Sequence, residues 1–451
     1  MRFFVNDRGF YKKLIAIALP IAGQNLINFA VSMADTVMLG ILGELELSAG
    51  AIASNVGFVF MLLTFGLGSG SNVLIAQYWG KGDVESIHKV LTVMYRSLLA
   101  GALFFSCVAL LFPTKVMSIF TTNDAVIALG AEYLRVIGYS YLLAGIASVT
   151  TIVLRSVAAV KISLIVYISS LLTNVFFNYC FIFGKLGFTA MGVKGAAVAT
   201  CIARVVEVAI LLVYMVKYEN KLCYRLRHLL MRRMGMIGQY LRVALPVIFN
   251  ELLWGSGVAV IAIVIGRMGT EFTAANSICQ VLSQLVMIAN YGVGNAAAVI
   301  VGNSVGEGRY GEVRQYAKTF ILMSLILGCV SSVVVLLVKT PMLGIYNISD
   351  TARLYAGQIM NIYAVIVVFQ AMAMVTLIGV LRGGGDTRFV LMGDLMFMWG
   401  LSIPLGFLTG LHLGWPVWAV YLVLKCDEVF KTFAALIRIG KGKWINDITK
   451  I

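Results

Sequence analysis

The sequence predicts an all-α polytopic membrane protein made of two parallel six-helix repeats, and three observations carry that prediction. Hydrophobic residues fill 60% of the 451 positions and charged residues only 12%, about half the charged share of a soluble domain. Twelve apolar runs are each long enough to cross roughly 30 Å of hydrocarbon at 1.5 Å per helical residue. Finally, the chain is written twice: Pro246, Gly266, Gly294, Asn303 and Gly306 each lie 226 positions after Pro20, Gly40, Gly68, Gln77 and Gly80.

The runs lie near 13–39, 49–78, 90–113, 127–153, 160–183, 192–217, 239–266, 272–303, 316–338, 354–381, 388–409 and 415–438. Late in each copy the offset becomes 227, at Arg155 with Arg382 and at Gly187 with Gly414. Slippage of one residue over most of a half marks an internal duplication. Six spans per copy is an even number, so both copies enter the membrane in the same direction, and transporters place substrate between such repeats. The expected division is an N-terminal lobe over 1–217, a linker over 218–238 and a C-terminal lobe over 239–451. The linker, KYENKLCYRLRHLLMRRMGM from Lys217 to Met236, reads as a basic amphipathic segment on an acidic lipid surface.

The net charge of +15 does not point to nucleic acid, because the basic residues alternate with the spans. Arg155, Lys161, Arg225, Arg232, Arg233, Arg382 and Lys441 all fall on one side, with the N-terminal Arg8, Lys12 and Lys13. By the positive-inside rule both termini are cytoplasmic, and the expected location is the inner (plasma) membrane. The first apolar run lacks a small-residue cleavage pattern and stays as the first span. Seven scattered cysteines show neither metal nor disulfide spacing. Enzyme signatures are missing: GxxxxGK[ST] and HExxH are absent, and the three histidines are far apart. The glycines of 66–70 and 383–385 suit close helix packing and a turn. The chain reads as a transporter and not an enzyme, without a cofactor, drawing on an ion gradient.

Polar residues inside the spans carry the chemistry. Asp35 is a carboxylate in hydrocarbon, which costs several kcal/mol and marks a functional site; its counterpart in the second copy is Ile261. Asn174 and Asn178 lie four apart on one face of the fifth helix, and Thr200 on the sixth lies at similar depth. Together they offer hard oxygen ligands for Na⁺, or a carboxylate that exchanges a proton. Each amide or hydroxyl alone equally suits an interhelical hydrogen bond. Glu251, five residues after Pro246, is the second intramembrane acid and, if buried without a partner, a proton carrier. Arg204 with Glu207 and Lys425 with Glu428 are spaced as i, i+3 ion pairs, and Asp427 is ambiguous. Pro20 and Pro246 each remove a helical hydrogen bond, so Pro20 is a candidate bend. The 21 methionines and 25 phenylalanines suit adaptable cavity walls or lipid-facing surface.

Over essentially its whole length the chain resembles the multidrug and toxic compound extrusion (MATE) family. The resemblance rests on the two six-helix repeats, the Pro20 to Asp35 spacing, Asp35-Thr36-Val37-Met38-Leu39-Gly40, Leu154-Arg155 with Leu381-Arg382, and Asn174 to Asn178 followed by Gly195-Ala196-Ala197-Val198-Ala199-Thr200. It implies a V-shaped pair of lobes that export drug-like organic, often cationic, compounds in exchange for H⁺ or Na⁺ as a monomer in the bilayer. It further implies that Asp35, Asn174, Asn178 and Thr200 form a cation-coupling site, that the first helix bends at Pro20, and that Glu251 matches a seventh-helix acid. Two departures stand out: some relatives carry an aspartate where this chain has Asn178, and others a tenth-helix carboxylate where it has Gln370 and Ala371. Both favour proton coupling through Asp35. The alternative is a lipid-linked oligosaccharide flippase, which would need a cationic groove for pyrophosphate.

Overall fold

The computed structural model describes residues 4–230, 234–346 and 348–450. No β-strand occurs among them. Eleven helices among the described residues are long and apolar enough to span a membrane. They are α1 Arg8–Leu42, α2 Glu44–Lys81, α3 Val84–Leu111, α4 Asp124–Ser156, α5 Lys161–Phe183, α6 Gly192–Lys217, α7 Ile237–Arg267, α8 Thr270–Gly306, α9 Tyr310–Ile345, α10 Asp350–Leu381 and α11 Thr387–His412. The twelfth expected span, α12, is interrupted at Cys426 into Val417–Lys425 and Asp427–Gly440. Arg232 and Arg233 lie outside the described residues.

Apolar length explains the spans, and glycine explains their ends. Gly82 and Gly308, 226 positions apart, follow α2 and α8 with φ of +78° and +75°, a region that costs glycine nothing. The duplication is therefore visible in the backbone as well as in the text. Large side chains such as Leu19, Ile41, Phe104 and Leu337 remain about two-thirds exposed, as expected when hydrocarbon and not water surrounds the helices.

The chain divides into two compact units, and the division departs from the repeat boundary. One holds residues 23–75 and 84–244; the other holds 1–22, 76–83 and 245–451. The core of the first gathers Phe60, Tyr141, Leu134 and Met117. That of the second gathers Phe272, Met360, Tyr363 and Tyr421. The cuts inside α1 and α7 fall at 22/23 and 244/245, within three residues of Pro20 and Pro246. At these prolines the carbonyls of Ala16 and Arg242 lose their helical donors. Both helices nevertheless continue through the proline.

Within the second unit α2 and α8 cross at backbone contact. A Cβ on Gly80 would lie 2.0 Å from the Asn303 carbonyl oxygen, and one on Gly306 would lie 1.9 Å from that of Gln77. Gln77 and Asn303 are themselves 226 apart, so the contact repeats about a pseudo-two-fold axis. Neither glycine tolerates a side chain without moving a helix. Gly306→Ala should therefore destabilise the fold by at least the roughly 1–3 kcal/mol typical of overpacking, read as a lower thermal midpoint in detergent. An unchanged midpoint would mean that the helices part freely here.

The described part of the linker packs on α3. The Glu219 carboxylate accepts from the backbone N–H groups of Lys221, Leu222 and Cys223. His88 and His228 pack with their rings tilted, 4.6 Å between centroids, and Arg96 donates twice to the Leu229 carbonyl. Two histidines far apart in sequence are thus neighbours. Periodicity could not show this, because the ring contacts come from tertiary docking.

Candidate functional site

Three helices of the first unit bring four oxygen-bearing side chains into one hydrogen-bonded chain. Asn178 Nδ2 on α5 donates to Asp35 Oδ1 on α1 and, at 3.0 Å, to Asn174 Oδ1 one turn earlier. Asn174 Nδ2 in turn donates to Thr200 Oγ1 on α6 at 3.3 Å. Asn174 and Asn178 are buried, while Asp35 and Thr200 are half-buried. The i, i+4 spacing on α5 puts both amides on one face, and the duplicated topology delivers α1 and α6 to it.

The donor set fits a small hard cation or a proton. Asp35 supplies the charge, and Asn178 Oδ1 is buried and accepts no hydrogen bond, leaving a carbonyl-type oxygen for a ligand. A buried acceptor without a donor is costly. Together with Thr200 Oγ1 these are oxygen ligands of the kind alkali cations take. Next along α6, Arg204 binds Glu207 through both carboxylate oxygens at 2.8 and 2.7 Å. That pair neutralises itself, as its spacing predicted.

The second repeat is built differently, and here the structure corrects the reading of Glu251. Glu251 is buried but not alone: Arg382 Nη1 meets its carboxylate at 2.8 Å. Arg382 Nη2 donates to Asn250 Oδ1 at 2.7 Å, and Asn250 Nδ2 donates to Asp394. Asp394 meets Lys431 Nζ at 2.5 Å, and Lys431 also binds Asp427 at 2.8 Å. Three acids and two bases thus share one buried string. A buried ion pair persists only when its hydrogen bonds are satisfied.

Arg382, counted above among the basic residues of one membrane side, has a side chain only 2% exposed. Arg155, its counterpart, is buried too and donates to Gln24 Oε1 at 3.1 Å. Gln24 and Asn250 are 226 positions apart, so each copy sends an arginine to an amide four residues past its proline. The second copy adds Glu251 where the first has Asn25. The expected Lys425–Glu428 pair is replaced by Lys431–Asp427, because the helix is interrupted at Cys426 and the register of its charges follows from Asp427. Two π-helical stretches adjoin the string: Met374–Leu381, just before Arg382, and Asp394–Ser402, which begins at Asp394. Such turns recur at functional sites. Gln370 accepts from the Tyr363 hydroxyl at 3.0 Å.

The sequence profile of the MatE family matches residues 20–180 and again residues 246–408, so the two copies answer to the same family independently. A probable multidrug resistance protein NorM of Synechocystis is 29% identical, covering 93% of this chain and 92% of its own. One of Thermotoga maritima is 26% identical, covering 96% and 93%. Among solved structures, an outward-facing multidrug resistance MATE family transporter has a TM-score of 0.85 at 18% identity, covering 98% of this chain and 97% of its own. A eukaryotic MATE transporter gives the same score, identity and coverage. With two family matches that cover most of the chain, the all-helical duplicated fold and the membrane-length helices, the protein belongs to the MatE family of multi-pass membrane transporters and is not an enzyme.

Proposed function

We propose that the protein is a secondary active multidrug efflux antiporter that exports organic, often cationic, compounds in exchange for H⁺ or Na⁺ by alternating access. The observation that carries the coupling is the Asp35–Asn178–Asn174–Thr200 chain, with its one carboxylate and an amide oxygen left for a ligand. The similarity to multidrug resistance proteins of the NorM and PmpM types supports the drug-like substrate class. Inner-membrane location, cytoplasmic termini and a two-lobe division near residues 218–238 belong to the same reading.

A proton or cation on Asp35 favours one state, and substrate favours the other. A ligand shifts such an equilibrium only by its differential affinity, so exchange follows when the two cannot be bound together. Each net charge moved adds about 2.3 kcal/mol per 100 mV. Coupling is assigned to the first repeat because Glu251 already has a built-in cation in Arg382. Of the two coupling ions, the proton is favoured: only one carboxylate faces the four-residue site.

Counterflow of ethidium in proteoliposomes, with Na⁺ and pH gradients imposed separately, tests this reading. A pH gradient should drive uptake and a Na⁺ gradient should not; transport driven by neither gradient overturns antiport. For Glu251→Gln the expected outcome is a lower thermal midpoint with the proton-to-drug ratio unchanged. Loss of proton-driven transport in a variant of full stability would move the coupling to the second repeat.

A further inference from the structure

Residues after α12 fold back onto the α2/α8 crossing. The Gln77 side chain is fully buried and the tail holds it at both ends: Gln77 Nε2 donates to the Asn446 carbonyl at 3.1 Å, and the Ile448 N–H donates to Gln77 Oε1 at 2.9 Å. A side-chain amide satisfied by two backbone groups imitates a strand pairing and fixes its direction. Gln77 is also the residue whose own carbonyl faces Gly306. The tail therefore grips the crossing at its tightest point.

The tail is itself anchored on the second repeat. Asn446 N–H donates to the Gly384 carbonyl at 2.8 Å. Trp444, 1% exposed, lies so close that a Cβ on Gly384 would stand 2.5 Å from its ring. Tyr310, at the start of α9, donates to Asp447, which also accepts from Thr449. The grip thus joins the last turns of a first-repeat helix to the second repeat, all inside one compact unit. Burial pushes the Asp447 carboxyl up, but hydrogen bonds from Thr449, Lys450 and Tyr310 outweigh it and hold the group below the usual carboxylate range. A lowered folded pKa contributes stability above the ordinary carboxylate value, lost only as pH falls through the lowered one. The anchor therefore stays charged across physiological pH.

We propose that residues 444–450 are a latch: by gripping Gln77 they hold α2 against α8 and disfavour the state in which the transporter opens on the face where the tail lies, so each cycle must release them. The proposal rests on alternating access as read above. A contact made in one state only shifts the balance by its own free energy. Releasing two hydrogen bonds should move that balance roughly tenfold.

The test uses full-length protein in inside-out vesicles, with Asn303→Cys as reporter in a background without the natural cysteines. Gln77→Leu, and separately truncation after Gly442, should raise labelling of the reporter by a membrane-impermeant maleimide about tenfold. In a second arm, Gln77→Cys with Ile448→Cys joined by a short cleavable bis-methanethiosulfonate should stop ethidium transport, and reductant should restore it. Unchanged labelling in folded variants, or a joined protein that transports at the unjoined rate, overturns the latch. Wild-type protein that never moves ethidium while labelling still responds overturns the efflux reading and leaves the latch standing.

Discussion

Asp35→Asn should abolish ion-driven drug efflux while leaving the protein inserted and folded. Asparagine has the same shape and can still accept from Asn178, so the α1–α5 contact loses little. What disappears is the charge, and with it any difference between the protonated or cation-bound state and the empty one. Without that difference the gradient has nothing to act on. The expected measurement is drug susceptibility at the level of cells lacking the transporter, with wild-type amounts of protein in the membrane. Retained resistance would remove Asp35 from the mechanism and leave the Asn178–Asn174–Thr200 chain as helix packing.

Arg382→Met should be the most destabilising single change in the second repeat. It strands the Glu251 carboxylate and Asn250 Oδ1 in a buried region where both now accept from the guanidinium at 2.7–2.8 Å. Removing one partner of a buried ion pair costs about 3–5 kcal/mol. Replacing both partners with apolar side chains of similar volume is often neutral, so Glu251→Leu combined with Arg382→Met should recover much of the loss. Thermal unfolding in detergent reads both variants. A double variant no better than Arg382→Met would mean that Arg382 acts through Asn250 and Asp394 instead.

Much of this protein was legible in its text. Apolar length placed eleven of twelve spans, and the constant offset revealed the duplication. Asn174 and Asn178 could be put on one face by counting. The buried string of the second repeat was not legible, for physical reasons. Arg382 ends an apolar run, and a basic residue there looks like a loop charge; only the fold shows it buried against Glu251 and Asn250. Asp394 and Lys431 are 37 positions apart, in different helices, and no local spacing links them. One signal was nevertheless present: Leu-Arg recurs in both copies, and Gln24 and Asn250 recur at the same offset four residues past a proline. An arginine and an amide kept in both copies of a duplicated chain are candidates for contact within each copy. The docked linker was missed because composition describes a segment's affinity for lipid and says nothing of a histidine waiting on a neighbouring helix.

The contact of α2 with α8 has the geometry of a symmetric homodimer, since Gly80 meets Asn303 while its equivalent Gly306 meets Gln77, the equivalent of Asn303. Such an isologous contact is self-complementary and needs no covalent link between its halves. Fusing two copies of an ancestral six-helix chain would have preserved it without new sequence. The two halves now differ at their acids, since Glu251 sits beside Arg382 while Asp35 sits beside Asn178, an asymmetry that two copies of one identical chain could not encode.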